Sequence, residues 1–406
     1  MKILKILLFL FITPIPVWAT DFKSDSVDAS KIIKISEAVR KEYAPDKRTA
    51  LFQVNADSSG NYIIETTEPK AAEKFLTLTK AESVNSTFNF NILPEKSLGE
   101  NIFGLVNVSV GNIRSNPQNA AELATQSLLG TPLDILKKEG YYYLIRTPDG
   151  YVSWLDAGAI TFKTATEIND WKKKDKLVFI DDYGHAYSHP DIKSQRISDL
   201  VMGNILVNAG STKGFFKVIY PDGREGFIQQ NQVTDYAKWI NKSNPKPEQV
   251  IAIAKTMIGV PYLWGGTSVK GVDCSGFTKT AFFMNGIVIP RDASQQVLVG
   301  EPVTVHKNDT LDLEEALKNL KLGDLIFFAS GKNRPLSARV THVAMYIGHA
   351  EFIHASGQVR INSMKPDAAN YNDFQTRTIV AARRFIGIIH AEGITPIAKH
   401  PAYSQK

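Results

Sequence analysis

Cys274 is the only cysteine in the chain, and the residues around it are of the kind that turn a thiol into a nucleophile. Trp264-Gly265-Gly266-Thr267 and Gly271-Val272-Asp273 lead into an apolar helical pattern at Phe277, Thr278, Ala281 and Phe282. Asp273 or a neighbour can cap that helix, which puts Cys274 in the first turn. Unpaired backbone N–H groups and the positive end of the helix dipole gather there. Both favour thiolate over thiol, so the spacing predicts a lowered thiol pKa. The same N–H groups can hold the oxyanion formed when sulfur attacks a carbonyl. The other common use of a free cysteine is as a small core residue, which gains nothing from this position.

A thiol nucleophile needs an imidazole to take its proton. Of the eight histidines, two stand at the ends of apolar runs: His342 opens Val343 to Ile347, and His354 closes Glu351 to Ile353. Gly348-His349-Ala350 is the turn between them. Antiparallel pairing lays the start of one strand beside the end of the next, so this hairpin brings His342 and His354 together. One ring can be the base, and the other can hold it through its second nitrogen. A cysteine and two histidines can also bind zinc, but the sequence offers no acidic general base beside them. No metal or organic cofactor is expected.

These residues need a frame, and residues 248–390 supply one. Helical patterns at 248–258 and 274–285 precede strands at 325–329, 343–347, 351–355 and 378–383, an α+β arrangement. Residues 241–247 are a polar, proline-containing linker, and 391–406 form a polar tail. Upstream, residues 101–165 hold short apolar runs at 106–110, 133–136, 141–146 and 151–155, with the turn Thr147-Pro148-Asp149-Gly150 between the last two. Residues 166–240 repeat the pattern around Pro221-Asp222-Gly223, which suggests two related β modules, each expected to be a small barrel. Residues 20–100 read as a small α+β domain: a helix at 30–43, strands at 49–56 and 61–67, and a short helix at 70–78.

Residues 1–19 are expected to be removed. Lys2 and Lys5 precede an apolar run from Ile6 to Ile12, and Val17-Trp18-Ala19 offers a small-residue cleavage pattern. An exported, soluble protein without stable membrane association is the expectation. An unpaired thiol in an oxidising compartment calls for a function. The 406 residues, 43% apolar and 22% charged, carry a formal charge of +6. That composition argues against disorder. With no basic helix or zinc-finger spacing, nucleic acid is not an expected partner.

Five blocks in register carry a resemblance. They are Trp264-Gly265-Gly266, Asp273-Cys274-Ser275-Gly276-Phe277, Arg291-Asp292-Ala293-Ser294-Gln295-Gln296, Leu322-Gly323-Asp324-Leu325-Ile326-Phe327-Phe328, and Thr341-His342-Val343-Ala344-Met345-Tyr346-Ile347-Gly348. Together they resemble the NlpC/P60 family of papain-like cysteine peptidases. The two β modules resemble bacterial SH3-like domains. The whole is similar to γ-D-glutamyl-L-diamino acid endopeptidases of the dipeptidyl-peptidase VI type. The resemblance implies Cys274 as nucleophile, His342 as base and His354 as the orienting residue.

It also implies murein peptides with a free N-terminal L-alanine as partners, in cell-wall recycling, and with that role residence in the periplasm, with an extracellular location as the alternative. Asp273 and Glu122 would hold the alanine ammonium, and Tyr151 or Trp154 would close the pocket. Trp264, Ser275, Arg291 and Ser294 would line the substrate groove. The diamino acid, meso-diaminopimelate or lysine, stays open. So do three other readings: a D,L-endopeptidase acting on intact wall, an amidase or acyltransferase, and a wall-binding module with a dead catalytic domain.

Overall fold

A computed structural model describes residues 27–57, 59–242, 244–371, 376–388 and 391–404. The leader expected at 1–19 lies outside the described residues. The chain separates into two units, one ending at Leu93 and one beginning at Pro94.

In the first unit, the helix Val27–Tyr43 buries Ala29, Ile32, Ile35 and Val39 on one stripe. Phe52–Ala56 pairs antiparallel with Tyr62–Thr66. Phe88–Ile92 then adds in parallel. A parallel neighbour needs a crossover, and the helix Pro69–Ala81 provides it, with proline in its first turn. Phe75 from that helix meets Phe88 edge-on at 5.3 Å between ring centroids.

In the second unit, residues 103–163 form one seven-stranded sheet. Its order is Ile160–Lys163, Phe103–Val106, Pro132–Glu139, Tyr142–Arg146, Val152–Asp156, Val110–Arg114, Leu123–Leu128. The first and last strands of that order do not pair with each other, so the sheet does not close. This corrects the barrel expected from the sequence. Closure removes an edge by pairing it, whereas here the Leu123–Leu128 edge is covered by another part of the chain. Thr267 Oγ1 donates to the Gln126 carbonyl at 3.0 Å, and the Thr267 N–H donates to Gln126 Oε1 at 2.9 Å.

Residues 176–235 form a second seven-stranded sheet. Its order is Arg196–Val201, Tyr183–Tyr187, Glu225–Gln229, Phe215–Ile219, Ile205–Thr212, Lys176–Phe179, Val233–Asp235, and it too is open at both ends. Both SH3-like barrels are therefore open sheets in this structure.

The α+β catalytic region lays a six-stranded sheet beside the helix Cys274–Met284. Its strand order is Glu301–Pro302, Arg377–Arg384, Leu325–Ser330, Val340–Gly348, Glu351–Ser356, Gln358–Ser363. Side chains alternate along each strand. Leu325, Phe327, Val343, Met345 and Ile353 pack with Phe277, Ala281 and Phe282 of the helix. Their neighbours Ile326, Phe328, Ala344, Tyr346 and Phe352 pack with Ala316 of the helix Leu313–Asn319. This buried two-sided sheet makes the histidine hairpin a fixed part of the core.

Candidate active site

Asp273 is the N-cap of the helix Cys274–Met284, and its Oδ1 accepts from the Gly276 N–H at 2.7 Å. Cys274 follows as the first helical residue, 7% exposed. Backbone N–H groups of Val343 and Ser275 both donate toward its sulfur. Val343 is the residue after His342, so the thiol is tied to the strand that carries the histidine.

The thiol pKa runs opposite to the expectation from sequence. Burial, followed by the nearby Asp273 carboxylate, pushes it up to about 11, and the Val343 N–H, Arg291 and the Ser275 N–H only partly offset this. The helix-terminus effect is present, but loss of water outweighs it. In the resting site Cys274 is a thiol.

The hairpin register pairs Met345 with Ile353, so His342 and His354 are diagonal neighbours within side-chain reach. His342 Nε2 lies 2.8 Å from His354 Nδ1, and His354 Nε2 lies 3.0 Å from Asn362 Oδ1. Asn362 Nδ2 donates to the Asn370 carbonyl at 2.8 Å. A carbonyl only accepts, so this last bond orients the Asn362 amide. Asn362 Oδ1 must then accept from His354 Nε2–H, leaving His354 Nδ1 to accept from His342 Nε2–H. The unprotonated nitrogen of His342 is therefore Nδ1, the form a general base requires. Burial lowers His342 well below 6.5, with Arg377, His354 and Arg360 adding to it. Burial likewise brings His354 down to about 4. Both rings are neutral near pH 7.

Arg291 is not a groove residue. It is 1% exposed, and its guanidinium donates to Asp273 Oδ2 at 2.7 Å, Asp273 Oδ1 at 3.1 Å, Ser275 Oγ at 3.0 Å and Thr125 Oγ1 at 2.7 Å. It is a buried strut between the cysteine helix and the first β sheet. The Asp273 carboxylate also accepts from the Gly265 N–H and the Ser275 hydroxyl. Its acceptor directions are filled, so the ammonium role expected of Asp273 does not fit. Ser275, equally buried, has its hydroxyl in the same network.

Glu122 stands differently. It is exposed, and Trp264 Nε1 donates to its Oε1 at 2.6 Å. Trp264 is itself 61% exposed. Indole and carboxylate face solvent at the seam between the first β sheet and the cysteine loop. Tyr151 lies close enough to Arg291 to act on its charge. Trp154 instead lies on the β sheet with Lys137 Nζ 5.6 Å from its ring centroid. Ser294 lines a separate open cavity with Val340, Val380 and Arg383.

Sequence reasoning missed Asn362, Arg377 and Thr125. Asn362 sits in the strand Gln358–Ser363, paired with Phe352. A strand following His354 at hairpin distance was the available signal. Among the described residues, no group of three or more His, Cys, Asp or Glu side chains is placed to hold a metal ion. No described helix is long and apolar enough to cross a membrane.

A thiol at a helix N-terminus, held by the N–H next to an imidazole whose tautomer is fixed from behind, defines a cysteine peptidase. A family model described as the NlpC/P60 family matches residues 259–379, and one described as a bacterial dipeptidyl-peptidase Sh3 domain matches residues 113–160. A γ-D-glutamyl-L-lysine dipeptidyl-peptidase of Bacillus cereus is 30% identical over 58% of this chain and 68% of its own length. Dipeptidyl-peptidase 6 of Lysinibacillus sphaericus is 29% identical over 68% of this chain and 97% of its own. The crystal structure of an NlpC/P60 family protein from Bacillus cereus superposes with a TM-score of 0.57 at 24% identity, covering 70% of this chain and 99% of that one. The chain belongs to the NlpC/P60 family.

Proposed function

We propose that this cysteine peptidase hydrolyses the bond between γ-D-glutamate and an L-diamino acid in peptidoglycan-derived peptides whose N-terminal L-alanine is free, as a step in cell-wall recycling by an exported enzyme. The observation that carries this reading is the exposed Glu122 carboxylate, fixed by Trp264 at the seam beside the cysteine loop. A carboxylate there can pair with an alanine ammonium. In intact wall that nitrogen is an amide and has no charge to offer. The name of the Bacillus cereus relative, a γ-D-glutamyl-L-lysine dipeptidyl-peptidase, agrees with the γ-D-glutamyl bond as the target. The Gln126–Thr267 and Thr125–Arg291 bonds support it further, because they lock the first β sheet against the catalytic region and wall the site on that side.

In the mechanism, the Cys274 thiol gives its proton to His342 Nδ1 as sulfur attacks the γ-carbonyl carbon. The Gly276 N–H is committed to the Asp273 cap, so the oxyanion falls to the first-turn N–H groups of Cys274 and of Ser275, the latter turning from the sulfur to the oxyanion as the S–C bond forms and the thiol's claim on it ends. His342, a weak base in this setting, is a correspondingly strong acid once protonated. It delivers the proton to the departing amine. Water then attacks the thioester with His342 as base, releasing L-Ala-D-Glu and restoring the thiol.

The test is incubation with L-Ala-γ-D-Glu-diamino acid tripeptides and their N-acetylated forms, followed by mass spectrometry with a Cys274→Ala control. The free peptides should be cut at the γ-glutamyl bond and the acetylated ones spared. Equal cleavage of both would remove the role of Glu122 and point to the intact wall as substrate.

A further inference from the structure

The second β sheet reaches the cysteine loop through Lys270. Thr267–Ser268 and Gly271–Val272 form a hairpin with Lys270 at its tip, and Val272 leads directly into Asp273 and Cys274. Lys270 Nζ donates to Asp199 Oδ2, on the strand Arg196–Val201, and at 3.0 Å to Ser109 Oγ, in the first β module. The Ser109 hydroxyl in turn donates to Asp199 Oδ2 at 2.9 Å. A partly exposed ion pair contributes little alone, and a network changes that. This network sits on a built joint. Asn204, fully buried, accepts from the Val201 N–H at 3.0 Å and donates to the Ser109 carbonyl at 2.9 Å. Beside it the Ile205 N–H donates to the Leu129 carbonyl at 2.9 Å.

From the hairpin to the cysteine helix, backbone packs directly on backbone. Gly266 has no room for a Cβ because the Gly271 carbonyl lies against it. Gly276, in the first turn of the helix, has none because the Gly266 carbonyl lies against it. The Asp273 N–H also donates to the Gly266 carbonyl at 3.1 Å. Close packing of this kind transmits a displacement instead of absorbing it. The N–H groups of Cys274 and Ser275 lie between Asp273 and Gly276, so the seat of the hairpin fixes theirs.

We propose that Asp199 and Lys270 are positioning residues for the N–H groups that hold the oxyanion, which makes the second β sheet a working part of the catalytic centre. The geometry does not depend on the substrate, whereas the rate test rests on the γ-D-glutamyl reading above. An oxyanion contact is stronger in the transition state than in the bound substrate, so its misplacement lowers kcat. The Trp264–Glu122 seam has anchors of its own in the Thr267–Gln126 bonds and in Gly265 packed on the Leu123 carbonyl, so KM should hold.

The experiment measures kcat and KM on L-Ala-γ-D-Glu-meso-diaminopimelate for the wild type, Lys270→Met, Asp199→Ala, the double variant, Lys270→Arg and Arg224→Ala, with melting curves to show that the variants fold. Arg224 Nη2 donates to the Asn107 carbonyl at 2.9 Å, so its loss loosens the joint between the sheets without touching Lys270. Lys270→Met and Asp199→Ala should each lower kcat about fivefold with KM unchanged. The double variant should be no slower than either single one, because the two residues act as a unit. Lys270→Arg should keep most of the rate, and Arg224→Ala all of it. Hydrogen exchange of the backbone over 266–277 should quicken in Lys270→Met and Asp199→Ala and not in Arg224→Ala. An unchanged kcat, additive losses, or an equal loss in Arg224→Ala would overturn the inference and leave the γ-D-glutamyl reading standing. If the wild type cleaves no such peptide, that reading falls and hydrogen exchange decides: quickened exchange in Lys270→Met and Asp199→Ala alone upholds the inference, and unchanged exchange overturns it as well.

Discussion

His342 Nε2 stands 2.8 Å from His354 Nδ1, and the proton in that bond belongs to His342. The assignment begins at the Asn370 carbonyl and passes through Asn362 and His354 without a free choice at any step. Asn362 is thus a positioning residue for a base it does not touch. Replacing it with leucine should lower kcat by about ten- to a hundredfold, the usual cost of losing an orienting partner, with little change in KM. Asn362→Asp still accepts from His354 and should restore much of the rate. Its added charge should move the acid limb of the pH profile upward, which a purely structural role would not do.

Chemical reactivity tests the neutral resting pair. With the Cys274 thiol pushed up to about 11, alkylation by iodoacetamide should be slow near pH 6 and keep rising through pH 9. A thiolate–imidazolium pair would instead give a fast, flat plateau from mildly acidic pH. Alkylation rates across pH 5 to 10 separate the two.

Buried neutral histidines also make the fold acid-sensitive. His354 titrates near 6.5 when unfolded and at about 4 when folded, because burial opposes its charge. Between those values the unfolded chain binds the proton and the folded chain does not. Stability is therefore complete above about pH 6.5 and is lost as pH falls toward 4, by about 3 kcal/mol for His354. Urea midpoints measured at pH 7 and pH 4.5 should differ accordingly, and less so in His354→Gln.

Much of the site is legible in the sequence because it is local. A capping aspartate, a helical stripe and a tight histidine hairpin each span a few residues, and the structure places Cys274, His342 and His354 in those positions. Barrel closure is not local, since it depends on whether the first and last strands of a sheet meet. Gln126 and Thr267, 141 positions apart, decide that here. Val106 to Val110 alternates like a strand, yet Ser109 is drawn out of it: its hydroxyl donates to Asp199 at 2.9 Å and its carbonyl accepts from Leu129. The raised thiol pKa was equally hidden, because desolvation is a property of the packed core.

Arg291 offers a stability test of the buried strut. Arg291→Met leaves the Asp273 carboxylate buried without its cation, which should cost about 3–5 kcal/mol. Arg291→Lys keeps the charge but loses the paired contact with Asp273 and should fall between. Chemical denaturation of the three proteins measures both steps. A loss under about 1 kcal/mol in the methionine variant would contradict the strut.

Glu122→Gln tests the ammonium pocket, since glutamine can still accept from Trp264 but carries no charge. KM for a free-N-terminus peptide should rise about tenfold or more, while Trp264 fluorescence stays as in the wild type. An unchanged KM would place the ammonium elsewhere.

The central claim is that Cys274 carries the L-Ala-D-Glu half of the substrate as a thioester. Rapid acid quench of the enzyme with L-Ala-γ-D-Glu-meso-diaminopimelate, followed by intact mass and peptide mapping, tests it directly. The account predicts an L-Ala-D-Glu adduct on the peptide containing Cys274, absent in Cys274→Ala, which should also release no diaminopimelate. Product release by the Cys274→Ala protein, or an adduct on another residue, would contradict it.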